Sequence, residues 1–246
     1  MRPLLTLESV SSSHRLRRRS VRALDDVSLD LYPGDFAGVW GDRHAGKTTL
    51  ARVAAGVLRP DSGRVVFDGR VLYEETRREY RRRGRPAIGL ATRQGPVQPD
   101  MAAEDWIALG LVGEGSWRRS VWKARSLLEK VGSSAAGSEC WEELSGSDQG
   151  RVAIAQAIAR EPRVLVVDDP VAGVGPEGTA QIMKLLHDLH RDGVAILMLS
   201  SRVEEFQGAS QIWTLEGGRI DAPPRRTSTV VDVDFRGAAS GREGSP

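Results

Sequence analysis

Residues Phe36-Ala37-Gly38-Val39-Trp40-Gly41-Asp42-Arg43-His44-Ala45-Gly46-Lys47-Thr48-Thr49 join a short apolar run to a helix-like run that continues to Val57. The junction fits the pattern G-x-x-x-x-G-K-[ST] in the setting a phosphate-binding loop needs, after a strand and before a helix. Gly41 and Gly46 let the backbone fold tightly enough for successive N–H groups to face an anion, the following helix N-terminus adds a favourable dipole, and Lys47 supplies a full positive charge. Thr48 offers a hydroxyl to Mg²⁺. A glycine-containing turn that carries a lysine by coincidence would look similar, but the flanking elements favour a nucleoside triphosphate site over residues 41–49.

A second element lies further along. Val164-Leu165-Val166-Val167-Asp168 is a fully apolar strand of the kind found in the middle of a parallel sheet. It delivers a carboxylate at its C-terminal end, where ligands bind in open α/β sheets. Asp168 is therefore the expected Mg²⁺-side acid. A solvated Asp-Asp-Pro turn would explain that strand alone, but its pairing with a phosphate loop is far more specific.

The remaining pattern is consistent with an α/β chain. Leu4–Val10 and Leu24–Leu31 tend to alternate apolar with polar residues and read as half-buried strands. Val65-Val66-Phe67 with Asp68-Gly69 predicts a hairpin, and Pro86–Thr92 another short strand. From Met101 to Gly132 the apolar spacing turns helical, with Val121, Ala124, Leu127, Leu128 and Val131 on one face. A helix is expected from near Ser147 to Arg160 and another over Glu177–His190. Val194–Leu199 reads as a buried strand, and Ile212–Ile220 as a hairpin turning at Gly217-Gly218. From Asp221 to Pro246 the composition predicts disorder, apart from a short run near Val230–Phe235.

The 246 residues hold 35 Lys and Arg against 33 Asp and Glu, a net charge of +2, so no global field points to nucleic acid. Two basic clusters, Arg15–Arg22 and Arg77–Arg85, read as solvated faces or as contacts with anionic headgroups or an acidic partner. One cysteine, Cys140, excludes an internal disulfide and fits a reducing compartment. The sequence has no uncharged stretch of membrane-spanning length and no long apolar leader, so a cytosolic chain reaching the membrane through a partner is expected.

Between the two phosphate-site elements stands Leu144-Ser145-Gly146-Ser147-Asp148-Gln149-Gly150-Arg151-Val152-Ala153-Ile154-Ala155, a small polar turn opening a helix. It resembles the LSGGQ signature of ATP-binding-cassette (ABC) ATPases. The resemblance runs from about Leu4 to Ile220, with Gln94 at the glutamine-loop position. It implies a P-loop cassette fold over residues 1–220. That fold has a RecA-like parallel sheet, an antiparallel β subdomain and a helical subdomain inserted at about 95–144. It also implies a head-to-tail dimer with a second cassette, identical or different, and docking on a membrane permease at the inner face of the cell membrane. ATP and Mg²⁺ would be held by Lys47, Thr48, Gln94 and Asp168, while Ser145 and Gly146 would reach the γ-phosphate bound by the other cassette. His14 stands near the family's adenine-stacking position and could stack or be solvated. In the family the helical insert docks on the permease, which makes Trp106 and Trp117 interface candidates. A ribosome- or DNA-acting cassette fits less well, because such proteins usually carry paired cassettes or large insertions.

The chain departs from the family at five places around one chemistry. Asp169 stands where the family has the glutamate that orients the attacking water, and Ser201 where it has a histidine contacting the γ-phosphate. Gly175 replaces the aspartate of the dimer-contact loop, and Ser147-Asp148 replaces Gly-Gln in the signature. His44 occupies an internal glycine position of the phosphate loop, where a side chain resists the backbone geometry. Each could be drift within an active enzyme. Together they lead us to expect intact nucleotide binding with slow hydrolysis, as in a regulatory cassette paired with a more active one.

Overall fold

The computed structural model describes residues 2–16, 19–73, 88–113 and 115–226. The Arg77–Arg85 cluster and the Val230–Phe235 run lie outside them. The order begins with strands β1 (Leu5–Leu16), β2 (Arg19–Leu31) and β3 (Phe36–Trp40), then helix α1 (Lys47–Ala54), and strands β4 (Ser62–Phe67), β5 (Arg70–Val71) and β6 (Ile88–Thr92). Helices α2 (Ala103–Leu109), α3 (Trp117–Lys130) and α4 (Gly146–Ile158) follow, then β7 (Val164–Asp168), α5 (Pro176–Arg191), β8 (Ala195–Ser200), β9 (Gln211–Glu216) and β10 (Arg219–Arg226).

Two sheets result. One is antiparallel, in the order β2-β1-β4-β5; the other has six strands in the order β10-β9-β3-β8-β7-β6, parallel from β9 through β6. The six-stranded sheet is covered on both faces, which explains why β7 and β8 read as unbroken apolar runs. Val164, Val166, Ala195, Leu197 and Leu199 face the core shared with α1 and the antiparallel sheet. Leu165, Val167, Ile196 and Met198 face the opposite core, built from α4, α5 and the residues of α2 and α3. Each such branched side chain contributes about 1.5–3 kcal/mol on burial, so this layer sets the positions of the strand ends. Gly38 in β3 is required by packing: a Cβ there would stand 2.4 Å from the Phe206 ring.

The helical spacing expected to run from Met101 to Gly132 is divided into two helices. Gly113 and Gly115, with φ of +99° and +148°, break the run, and Ser116 restarts it as the N-cap of α3. The first hairpin is longer than alternation suggested, because bulges near Ser9 and Ser12 interrupt the two-residue period. At the other end, disorder was expected from Asp221, whereas β10 pairs with β9 as far as Arg226. It is an edge strand, and its Pro223-Pro224 falls at a register shift, where missing N–H donors break no ladder bond. Among the described residues, no helix is long and apolar enough to cross a membrane.

Candidate functional site

The phosphate loop is held from behind by backbone rather than by side chains. A Cβ at Gly46, whose φ is +110°, would come within 2.3 Å of the Ala23 carbonyl, and one at Gly41 within 2.5 Å of the Leu215 carbonyl. Only glycine fits either place. Gly46 caps α1 without a side-chain hydrogen bond, and the first turn of α1 carries no acid, so its leading N–H groups stay open to an anion. His44 takes φ of +69°, the left-handed conformation that costs a non-glycine residue about 1 kcal/mol.

Lys47 is buried and folded back on its own loop. Its Nζ donates to the carbonyls of Gly41 (2.9 Å) and Asp42 (3.1 Å) and to Ser201 Oγ (2.8 Å), and lies 3.8 Å from Asp169 Oδ2. Asp169, at φ of +47°, also accepts the Ser201 N–H on Oδ1 at 3.2 Å. The two departures from the family pattern closest to the chemistry are thus bonded to each other and to the loop lysine. Trp40 fastens the same turn by donating from Nε1 to the Ser201 carbonyl at 3.3 Å.

Asp168 is buried at the end of β7. Burial pushes its carboxyl up from the ordinary value of 3.8, and the neighbouring Asp169 adds to that, against the opposing pull of the Thr48 hydroxyl, Lys47 and Arg52. Its Oδ1 is buried with no hydrogen-bond partner among the described residues. An orphaned carboxylate oxygen beside a threonine hydroxyl suits Mg²⁺, which takes one or two protein oxygens and completes its shell with water and substrate phosphates. No cluster of three or more His, Cys, Asp or Glu side chains is found among the described residues, so a self-sufficient protein metal cage is not what the site offers.

A cleft of about 690 Å³ opens over this loop, lined among others by His14, Arg43, Lys47, Thr48, Asp169 and Ser201. Its size suits a nucleotide-scale ligand. His14 Nε2 shares a 2.8 Å hydrogen bond with Thr49 Oγ1, which ties the first hairpin to α1. Gln94 is not brought into the cleft: it is exposed, and its Oε1 accepts from Arg52 at 2.7 Å. Ser145 and Gly146 are not there either. Ser145 is the N-cap of α4, outside the residues that line the cleft. Gly175 is the N-cap of α5 and makes no side-chain cap.

Sequence reasoning missed two residues. Arg93 donates to the Ala172 carbonyl and, at 3.2 Å, to Gln149 Oε1, so it ties the glutamine loop both to the loop after Asp169 and to α4. Its place beside Gln94 was the only signal. Glu205 is a buried carboxylate that accepts the Ser200 hydroxyl at 2.6 Å, with Arg202 Nε 3.2 Å from its other oxygen. In sequence it reads as one more surface acid. Of the two tryptophans proposed for an interface, Trp106 packs edge-on against Trp141 at 5.1 Å, whereas Trp117 is exposed, as is Trp122.

Similarity to known proteins fits this geometry. The chain is 34% identical over 94% of its length to the ribose import ATP-binding protein RbsA 2 of Streptomyces avermitilis, and 29% identical over 89% of its length to the methionine import ATP-binding protein MetN of Streptococcus agalactiae. It spans 46% of the former and 63% of the latter. An uncharacterized ABC transporter ATP-binding protein of Mycobacterium tuberculosis, Rv0986, is 29% identical with 89% of both chains covered. Among solved structures, the dimeric, ADP- and Pi-bound ATP-binding cassette MJ0796 superposes with a TM-score of 0.81 at 22% identity, over 92% of this chain and all of that one, which is a likeness of fold. The family model described as ABC transporter matches residues 24–172, from within β2 into the loop after Asp169. The chain belongs to the ABC transporter family, as its ATP-binding cassette.

Proposed function

We propose that this chain is the ATP-binding subunit of a membrane transporter. ATP binding and hydrolysis at the interface of two cassettes would drive substrate movement through a separate permease. The observation that carries this reading is the separation of the two half-sites. The phosphate cleft holds Lys47, Thr48 and, behind it, the orphaned Asp168 oxygen, while Ser145 and Gly146 open a different helix outside it. A phosphate cleft and a signature turn that do not meet within one chain call for a second cassette to complete each. Lys47, the open turn of α1 and residues 41–46 would bind the phosphates, and His14, which lines the cleft, would face the purine. Thr48 and Asp168 would hold Mg²⁺, joined by Gln94 once it leaves Arg52. Bound there, the ion would supply positive charge to offset that of the phosphates. The chain would work at the inner face of the cell membrane, with the exposed Trp117 and Trp122 available to the permease and no role for nucleic acid. Co-purification from the native cell, followed by ATP titration, tests this: a multi-span membrane protein should accompany the chain, and the chain should bind Mg·ATP. Failure to bind ATP, alone or in that assembly, would end the reading.

A specific observation favours a narrower version, a slowly hydrolysing cassette paired with a more active one. Asp169 lacks the methylene that would extend its carboxylate toward an attacking water, and it is already bonded to the Ser201 N–H and close to Lys47. A positioned base contributes about 10²–10⁴-fold in rate. The double substitution Asp169→Glu with Ser201→His is expected to raise kcat by at least ~10-fold with ATP affinity held within about 3-fold. Rapid turnover by the wild-type chain alone, unimproved by the double substitution, would refute this version.

A further inference from the structure

The signature turn carries a contact that the family resemblance does not explain. Ser145 has one hydroxyl proton, and it is given to Asp148 Oδ2 at 2.6 Å, while Ser145 Oγ accepts the Asp148 N–H at 3.1 Å. Asp148 is itself held in place. Its Oδ1 accepts from Ser133 at 2.8 Å and from Arg151 at 2.9 Å. Burial raises this carboxyl, but the two hydroxyls and Arg151 together outweigh burial and hold it below the ordinary value of 3.8, so it is ionised at neutral pH. A phosphate oxygen can only accept, so it needs the very proton Ser145 has committed. Neither neighbour offers a substitute: Ser147 Oγ is buried, and Arg93, beside Gly146, is engaged with Ala172 and Gln149.

We infer that Asp148 is a positioning residue that weakens this chain's grip on a γ-phosphate held by a second cassette, by taking the Ser145 hydroxyl proton and fixing a negative charge in the first turn of α4. The inference rests on the cassette-dimer reading above and adds to it a second site of attenuation. The departures at Asp169 and Ser201 slow the cleft this chain owns; Asp148 loosens the cleft it completes for its partner.

The test uses the full-length chain carrying Asp148→Gln, Ser145→Ala or both. ATP-dependent association is measured by analytical ultracentrifugation with whichever cassette co-purifies, a second copy included, and ATP affinity at low protein concentration is measured alongside. Asp148→Gln should tighten ATP-dependent association by about 10-fold, the scale of removing one nearby like charge, and leave ATP affinity of the isolated chain unchanged. It should also lower the melting temperature by about 2–4 °C, because it removes a charge that suits the helix N-terminus. Ser145→Ala should alter association less than about 2-fold in the wild-type background but abolish the gain in the Asp148→Gln background, a non-additivity that marks coupled residues. Asp148→Asn, which keeps the shape and removes the charge, serves if the glutamine variant folds poorly. Equal effects of Ser145→Ala in both backgrounds, or no tightening in either Asp148 variant, would overturn the inference and leave the dimer reading standing. ATP binding without ATP-dependent association in any variant would overturn both.

Discussion

Replacing Lys47 by alanine is expected to lower ATP affinity by at least ~100-fold, the equivalent of removing one or two charge-assisted hydrogen bonds to phosphate. Calorimetric titration against Mg·ATP measures it. The ligand-free chain will also respond, because Nζ joins the carbonyls of Gly41 and Asp42 to Ser201 and approaches Asp169. Without it, Asp169 loses its ion-pair partner and Ser201 Oγ its donor, and Ser201 keeps the bonds to Trp40 and the Asp169 carboxylate. Lys47 therefore has to leave the Ser201 hydroxyl, and with it part of this network, before it can grip a phosphate. An affinity within about 3-fold of wild type would show that this lysine does not touch the ligand.

How much of this could be read beforehand depended on whether a feature was local. The phosphate loop was legible because its glycines and lysine are fixed by spacing, and β7 and β8 were legible because two-sided burial writes unbroken apolar runs. Asp168 followed from its place at a strand end. The long first hairpin was under-read, since Ser11-Ser12-Ser13 hides the alternation and its bulges reset the period. The network around Lys47 could not be read at all. It joins residues whose sequence separation reaches 154, and nothing local to Ser201 or Asp169 says that both turn toward one ammonium. Glu205 was missed for the opposite reason: Arg202-Val203-Glu204-Glu205 has a surface composition, and only packing reveals that one of its acids is buried. Gln94 was expected in the site from its position alone, whereas its bond to Arg52 depends on where α1 ends.

The second large effect concerns Asp168 and has opposite signs on stability and function. Burial raises its folded-state carboxyl above the ordinary value, so the folded chain binds the proton more tightly than the unfolded chain does. As pH climbs from the ordinary carboxylate value to the raised one, folded stability falls, and above both the penalty is constant. At neutral pH, Asp168→Asn removes that penalty. Losing that buried charge is expected to be worth about 1–3 kcal/mol, or a melting temperature higher by roughly 2–12 °C without ligand. The same substitution should cut Mg²⁺-dependent turnover by ~100-fold or more, because the proposed Mg²⁺ site would lose the buried Asp168 oxygen. Thermal melts at pH 4 and pH 7, with and without Mg·ATP, separate the two: the stabilisation should shrink toward pH 4 and the gain from nucleotide should be lost. A variant less stable than wild type at pH 7 would mean that Asp168 is a structural anchor.

Ala23 is the meeting point of three distant segments. Its carbonyl sits where a Cβ on Gly46 or on Gly218 would fall, and the Gly218 turn donates to Ala45 while accepting from Asp25. The rear wall of the phosphate loop is therefore completed by the β9–β10 turn. On the ribosome, the lysine and glycines of the loop are made well before that turn emerges, and until then Ala23 can back Gly46 while the wall behind Gly41 and Ala45 is missing. A full grip on nucleotide is therefore expected only once residues 215–218 have joined the fold.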